Sequence, residues 1–109
     1  MVVDFLYWEA CPSHDQAYER LTAALADEGV QARIKRVQVS TDQQAADLHF
    51  PGSPTIRIDG RDLQPEVAAD SPPALTCRLY ILEDGRPSPL PSRDMIRRAL
   101  QAAVTGAQA

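Results

Sequence analysis

The sequence predicts a mixed α/β fold with the element order β-α-β-α-β-β-α, in which a four-stranded mixed sheet is flanked by three helices. Two observations lead to this prediction. Strand-like runs rich in β-branched and aromatic residues recur along the chain, and stretches with apolar residues at helical spacing separate them. A right-handed β-α-β start makes the first two strands parallel, whereas the last two are most simply an antiparallel pair.

The size and composition are those of one ordinary globular domain, so residues 1–109 are taken as a single unit. Of the residues, 44% are hydrophobic and 24% are charged. The net charge of -4 argues against a nucleic-acid partner. No stretch approaches the roughly 18 apolar residues that a membrane span needs, and the N-terminus lacks a signal-like pattern. We therefore expect a cytoplasmic protein without a membrane partner, whose two cysteines are free thiols.

The first strand and helix are strongly indicated. Residues 2–8 form an apolar run that is typical of a buried strand. Pro12 suits the first turn of the helix that follows, and Gly29 suits its end. An apolar stripe runs along this helix at Ala17, Leu21, Ala24 and Leu25.

The next strand and helix are more polar. Residues 32–39 form a strand whose alternation slips near Arg36, which indicates a bulge, and whose polarity indicates a sheet edge. Thr41 and Gln44 have the spacing of a capping box, which predicts a short helix after them.

The second half holds two strands and the last helix. Residues 54–58 predict a short strand that ends at the Asp59-Gly60 turn, and residues 77–83 predict the fourth strand. Residues 61–76 contain three prolines and no apolar period, so we expect an irregular loop there. Ser92 is the predicted N-cap of a final helix with an apolar stripe at Met95, Ile96, Ala99, Leu100, Ala103 and Val104.

The chemistry of the chain centres on Cys11, which lies between the first strand and the first helix. Unsatisfied N–H groups and the helix macrodipole favour a thiolate at such a position. His14 follows three residues later, on the same side of the helix, and could pair with the thiolate or take its proton. The alternatives are a small buried cysteine that seals the junction and an exposed polar histidine.

Two short motifs, "WEACPSH" and "GSPT", together with the element order resemble the thioredoxin-like superfamily. The resemblance implies that Cys11 is the nucleophilic cysteine and that Pro54 is a cis-proline facing it. It also implies that the backbone of Ser53 pairs with an extended substrate. The motif here is Cys-Pro-Ser-His, because His14 stands where two-cysteine members have their resolving thiol.

These considerations predict a thioredoxin-like protein with a single nucleophilic thiol, leaning to a monothiol-type thiol–disulfide oxidoreductase without a cofactor. Cys11 would form a mixed disulfide with a disulfide-bearing protein or a low-molecular-weight thiol, and an external thiol would complete the cycle. Residues expected to bind the substrate are Trp8, Pro12, Ser53, Pro54 and Thr55.

Two other interpretations stay open at this point. The first is a non-catalytic binding module of the same fold, which holds a peptide, a partner protein or a soft metal such as mercury. The second is a homodimer built through the edge strand at residues 32–39.

Cys77 is predicted to take no part in the site. In an antiparallel fourth strand it would start at the far end, on the order of 15 Å from Cys11 at about 3.3 Å per residue. A disulfide needs Cα atoms within about 7 Å, so a buried core cysteine is the expectation. A metal site made of Cys11, His14, His49 and Cys77 is not predicted, because only Cys-x-x-His is closely spaced.

Overall fold

The computed structural model describes residues 1–108 as a mixed α/β fold with a four-stranded mixed sheet, a two-stranded sheet and four helices. The strands are β1 (Val2–Tyr7), β2 (Arg33–Gln38), β3 (Thr55–Ile58), β4 (Arg61–Asp62), β5 (Tyr80–Ile81) and β6 (Pro87–Ser88). The helices are α1 (His14–Asp27), α2 (Asp42–Asp47), α3 (Pro65–Ala69) and α4 (Arg93–Gln108). Among the described residues, no helix combines the length and apolar character of a membrane span.

The large sheet has the strand order β2-β1-β3-β4. Its β1–β2 pair is parallel, as predicted, and runs without interruption from Val2 opposite Arg33 to Tyr7 opposite Gln38. The predicted bulge near Arg36 is therefore wrong. The Arg36 guanidinium instead lies 4.4 Å from the centroid of the Tyr18 ring, so a cation–π contact covers this polar position on a regular strand. β2 lies at the sheet edge, as predicted, and a homodimer through it stays a prediction.

The fourth strand is not the one that was predicted. The chain turns at Asp59-Gly60 and returns at once as β4, which pairs antiparallel with β3. Of residues 77–83 only β5 is a strand, and it pairs with β6 in the small sheet. The segment 61–76 contains β4 and α3, so its prediction as a loop and the count of three helices were wrong. Elements of two and five residues are too short to show an apolar period.

The core lies on both faces of β1, which explains its apolar run. Helices α1 and α4 pack against one face, and their predicted stripes supply much of the larger cluster: Val3, Phe5, Ala17, Leu21, Ala24, Leu25, Ile56, Ile58, Ile96 and Leu100. The smaller cluster contains Leu6, Val39, Ala45 and Phe50. This second cluster fills the side of the sheet near the loop that precedes β3.

The helix ends agree with the sequence at three of four points. Thr41 and Gln44 form the predicted capping box. The Ser92 hydroxyl accepts a hydrogen bond of 3.0 Å from the Met95 N–H, as predicted for an N-cap, and Gly29 follows the end of α1 with φ +62°. Pro12 differs, because α1 begins only at His14 and Pro12 lies in the turn before it.

Candidate functional site

Cys11 lies in the loop between β1 and α1, and it is almost fully buried, with 1% of its surface exposed. Its N–H donates to the Trp8 carbonyl over 3.0 Å, which closes the turn. Its thiol donates to the Ser53 carbonyl over 3.3 Å. The side chain of Cys11 therefore faces the loop that precedes β3, as the resemblance implied.

The loop before β3 is held by its own polar groups. The Ser53–Pro54 peptide bond is cis. The Ser53 hydroxyl accepts a hydrogen bond of 2.9 Å from the Trp8 N–H, and the Thr55 hydroxyl donates to the Gly52 carbonyl over 2.6 Å. These bonds tie the loop to the Cys11 turn, so the two predicted motifs meet in one place.

Cys77 also lies at this place, contrary to prediction. Its Sγ atom is 3.3 Å from Sγ of Cys11, and the Cys77 thiol is the donor. The distance of about 15 Å followed from an antiparallel fourth strand, whereas the segment at Cys77 forms a parallel bridge with Ser53. Cys77 consequently lies at the site end of the sheet instead of the far end.

The bridge occupies both backbone polar groups of Ser53. The Ser53 N–H donates to the Thr76 carbonyl, and the Arg78 N–H donates to the Ser53 carbonyl, each over 2.8 Å. The resemblance assigned these groups to an extended substrate. In this structure the chain's own residues 76–78 hold them.

A buried ion pair anchors this segment. Arg78 is 2% exposed, and its guanidinium makes two hydrogen bonds of 2.6 Å to the Asp62 carboxylate. Burial by itself would lower the pKa of Arg78, but the hydrogen bonds and charge of Asp62 outweigh it and raise the pKa. The guanidinium also lies 4.4 Å from the Tyr80 ring centroid, and the Tyr80 hydroxyl donates to the Pro54 carbonyl over 2.6 Å.

These buried side chains decide which way Cys77 points. Successive side chains of an extended segment alternate in direction. Arg78 and Tyr80 are buried, whereas Cys77 and Leu79 are exposed. The prediction of a buried core cysteine at position 77 was therefore wrong.

The Cys77 thiol holds its proton more firmly than an ordinary thiol does. The hydrogen bond to Cys11 raises the pKa of the Cys77 thiol above its ordinary value, and partial burial and the charge of Cys11 add to this shift. The Cys77 thiol consequently gives up its proton less readily than an ordinary thiol does. No disulfide joins the two cysteines.

Gly52 allows the segment to approach this closely. Its φ of +131° lies in a region that favours glycine. A Cβ atom at this position would be 2.8 Å from the Cα atom of Arg78 and 2.9 Å from the Cys77 carbonyl oxygen. Both contacts are with backbone, which cannot rotate away as a flexible side chain can.

His14 lies near the thiols but does not pair with Cys11 in the described residues 1–108. It is 8% exposed, so the exposed alternative was wrong, and its ring packs 4.9 Å from the Tyr7 ring centroid. Its Nδ1 atom is 3.3 Å from an Asp15 carboxylate oxygen, without the geometry of a hydrogen bond. The Cys11 thiol instead contacts two groups from other parts of the chain, the Ser53 carbonyl and the Cys77 thiol.

The remaining predicted residues vary in exposure. Trp8 is half-buried and packs on the smaller core cluster. Pro12 is exposed, as is His49. Within residues 1–108 no group of three or more histidine, cysteine or acidic side chains is arranged to hold a metal ion.

Sequence reasoning missed Asp62, Arg78 and Gly52 as parts of the site. One signal for Arg78 was present, because an arginine directly before the apolar run "LYIL" requires a partner if its side chain is buried with that run. Nothing local pointed to Asp62 as that partner.

Comparison with known proteins gives no relative: no protein-family model, curated protein or solved structure matches the chain. The function of the site therefore has to be inferred from its geometry and chemistry.

Proposed function

We propose that this chain is a thioredoxin-like protein that carries out thiol–disulfide exchange, with Cys11 and Cys77 as its redox pair. The observation that carries the proposal is the 3.3 Å separation of the two sulfurs. A disulfide bond is about 2.05 Å long. An approach of about 1 Å is therefore enough to form the bond, and the exposed position of Cys77 leaves room for that movement.

The proposal extends the single-thiol chemistry expected at Cys11. His14 occupies the place of the second cysteine in a Cys-x-x-Cys motif, so the second thiol of the pair has to come from elsewhere. Cys77 supplies it from a segment 66 residues away along the chain. The position of Cys11 at the first strand-to-helix junction, facing the Ser53-Pro54 loop, supports the thioredoxin-like assignment.

The overall reaction transfers two electrons. The reduced pair consists of two thiols, and that of Cys77 donates a hydrogen bond to Cys11. A substrate disulfide accepts two electrons and two protons and leaves as two thiols, while the S–S bond between Cys11 and Cys77 forms. Two molecules of a low-molecular-weight thiol restore the pair and are themselves oxidised to one disulfide.

The direct test compares the wild-type chain with Cys11→Ser and Cys77→Ser in the thiol-dependent reduction of insulin. We expect the wild type to turn over and both variants to lose at least 90% of the rate. Intact mass should show that the oxidised wild type has lost two hydrogen atoms and contains no free thiol. Full activity of Cys77→Ser would contradict the pair, and full activity of Cys11→Ser would contradict thiol exchange at this site altogether.

Soft-metal binding is a second candidate, favoured by the same convergence of two sulfurs. Thiolates are the preferred ligands of soft metal ions, and a two-coordinate ion such as Hg²⁺ needs no third ligand. Binding of the ion would release the protons of both thiols and form two sulfur–metal bonds. We expect the reduced chain to take up one Hg²⁺ against competing glutathione and Cys77→Ser to lose this capacity. Equal retention by wild type and variant would exclude a two-thiol metal site.

A further inference from the structure

We propose that Cys77 is the sulfur that attacks the partner's disulfide and carries the mixed disulfide, and that Cys11 is its base and its resolving thiol. This assignment rests on the proposed exchange function and reverses the roles expected from the sequence. It makes Cys77 a catalytic residue and identifies the surface that a partner meets first.

Access to the two sulfurs is the first reason. Nucleophilic attack on a disulfide requires direct contact of the attacking sulfur with the sulfur that it will bond. Cys77 is exposed, and a partner reaches it without rearrangement. Cys11 is 1% exposed, and the segment of Cys77 covers it.

Uncovering Cys11 would require several bonds to break. Residues 76–78 would have to leave the Ser53 backbone, with the loss of two hydrogen bonds of 2.8 Å. Arg78, the last residue of this segment, is held by two further hydrogen bonds of 2.6 Å to Asp62. Opening therefore strains a buried ion pair, whereas attack by Cys77 leaves all these contacts in place.

The hydrogen bond between the sulfurs is the second reason. A protonated thiol is a poor nucleophile, so Cys77 has to lose its proton as it attacks. Its S–H already points at Cys11 over 3.3 Å, and the Cys11 sulfur can accept the proton directly once it has released its own to water. The newly protonated Cys11 has an acceptor ready, because the Ser53 carbonyl oxygen lies 3.3 Å from its sulfur.

The first step forms a bond between Cys77 Sγ and one sulfur of the partner. The partner's S–S bond breaks, its other sulfur leaves as a thiolate, and the Cys77 proton moves to Cys11. In the second step Cys11 Sγ attacks Cys77 Sγ, the mixed disulfide breaks, and the second partner sulfur leaves. The proton on Cys11 passes to a departing sulfur or to water, so atoms, charge and electrons balance.

The test uses 5,5′-dithiobis(2-nitrobenzoate) as the disulfide and the reduced wild-type chain without substitution. Reactions are stopped with acid at successive times, and the labelled cysteine is identified by peptide mass. We expect the first label on Cys77, followed by its loss as a second thionitrobenzoate is released. In Cys11→Ser the Cys77 label should persist, and in the matched Cys77→Ser chain the labelling of Cys11 should be at least tenfold slower than the first wild-type step.

The outcomes separate the two proposals. A first label on Cys11 in the wild type, or labelling of Cys77→Ser as fast as wild type, overturns the role of Cys77 and leaves the redox pair intact. A wild-type chain that keeps its label and releases only one thionitrobenzoate forms no internal disulfide. That result overturns the redox pair and with it the role of Cys77.

Discussion

At the scale of single residues, two cysteines of the same chemistry are made different by their neighbours. Cys77 is exposed, and its thiol donates a hydrogen bond to the sulfur of Cys11. Cys11 is buried, and its sulfur lies against the Ser53 carbonyl. A single exposed thiol would be neither hydrogen-bonded to a second sulfur nor buried against a carbonyl. The paired arrangement gives each sulfur a separate proposed task, because Cys77 is accessible to a partner whereas Cys11 is buried.

The pH dependence of Cys77 tests this difference. Its pKa is raised above the ordinary thiol value chiefly by the hydrogen bond to Cys11, with burial and the Cys11 charge as further causes. A raised pKa means that less thiolate forms at a given pH. Replacing Cys11 by serine removes the charge and weakens the bond, so the alkylation midpoint of Cys77 should move to lower pH.

The measurement is the rate of iodoacetamide alkylation against pH, read at the Cys77 peptide by mass. His14→Gln serves as the control, since His14 makes no hydrogen bond to either cysteine within the described part of the chain. We expect the alkylation midpoint of Cys77 in His14→Gln to equal that of the wild type. Identical midpoints in wild type and Cys11→Ser would show that Cys11 does not govern the proton on Cys77.

At the scale of elements, the segment around Cys77 is held by contacts that cannot be predicted from its own sequence. The Gln64 side chain bonds to both backbone polar groups of Ile81, over 2.7 Å and 3.0 Å, as a neighbouring strand would. Asp62 holds Arg78, and Ser53 holds residues 76–78. Each of these partners lies outside the segment, so the position of the segment is a tertiary property.

Gly52→Ala should loosen this segment. The added Cβ would meet backbone atoms of Arg78 and Cys77 at 2.8–2.9 Å, and the φ of +131° is strained for alanine. We expect a loss of roughly 1–3 kcal/mol in the free energy of unfolding, and slower closure of the Cys11–Cys77 disulfide. Urea unfolding and the rate of thiol loss under oxidised glutathione measure these effects.

Gly60→Ala is the matched control. Gly60 also has a positive φ, of +85°, but nothing lies within 4 Å of the Cβ it would gain. The Gly60→Ala variant should therefore have the backbone strain without the clash. Its Cys11–Cys77 disulfide should form at the wild-type rate. Equal effects of the two substitutions on closure would show that the close approach at Gly52 does not position Cys77.

At the scale of the whole molecule, the redox state should change stability. A Cys11–Cys77 disulfide would close a loop of 66 residues in the unfolded chain. The chain-entropy relation assigns such a loop roughly 4 kcal/mol of stabilisation. Because the sulfurs are already adjacent, we expect the oxidised form to unfold at a higher urea concentration than the reduced form.

The comparison is made on the same preparation before and after treatment with oxidised and then reduced dithiothreitol. Cys77→Ser provides the control, and its unfolding midpoint should not respond to either treatment. An oxidised wild type less stable than the reduced form would indicate that bond formation distorts the site.

Local periodicity was enough to predict much of the framework. The apolar stripes of α1 and α4 and the cap at Thr41 depend on residues within a few positions of each other. The parallel β1–β2 pair follows from the right-handed β-α-β connection. The meeting of Cys11 with the Ser53-Pro54 loop was implied by the resemblance.

The partner of Cys11 was decided only by tertiary structure. Its identity depends on a parallel bridge at Ser53, on a buried ion pair between Asp62 and Arg78, and on the close approach that Gly52 permits. These contacts join residues 16 to 26 positions apart in the chain, and the two cysteines that they bring together are 66 positions apart. Their energies come from burial and from completed hydrogen bonds, which a pattern of neighbouring residues does not reveal. The second thiol of the site therefore became visible only once the chain was folded.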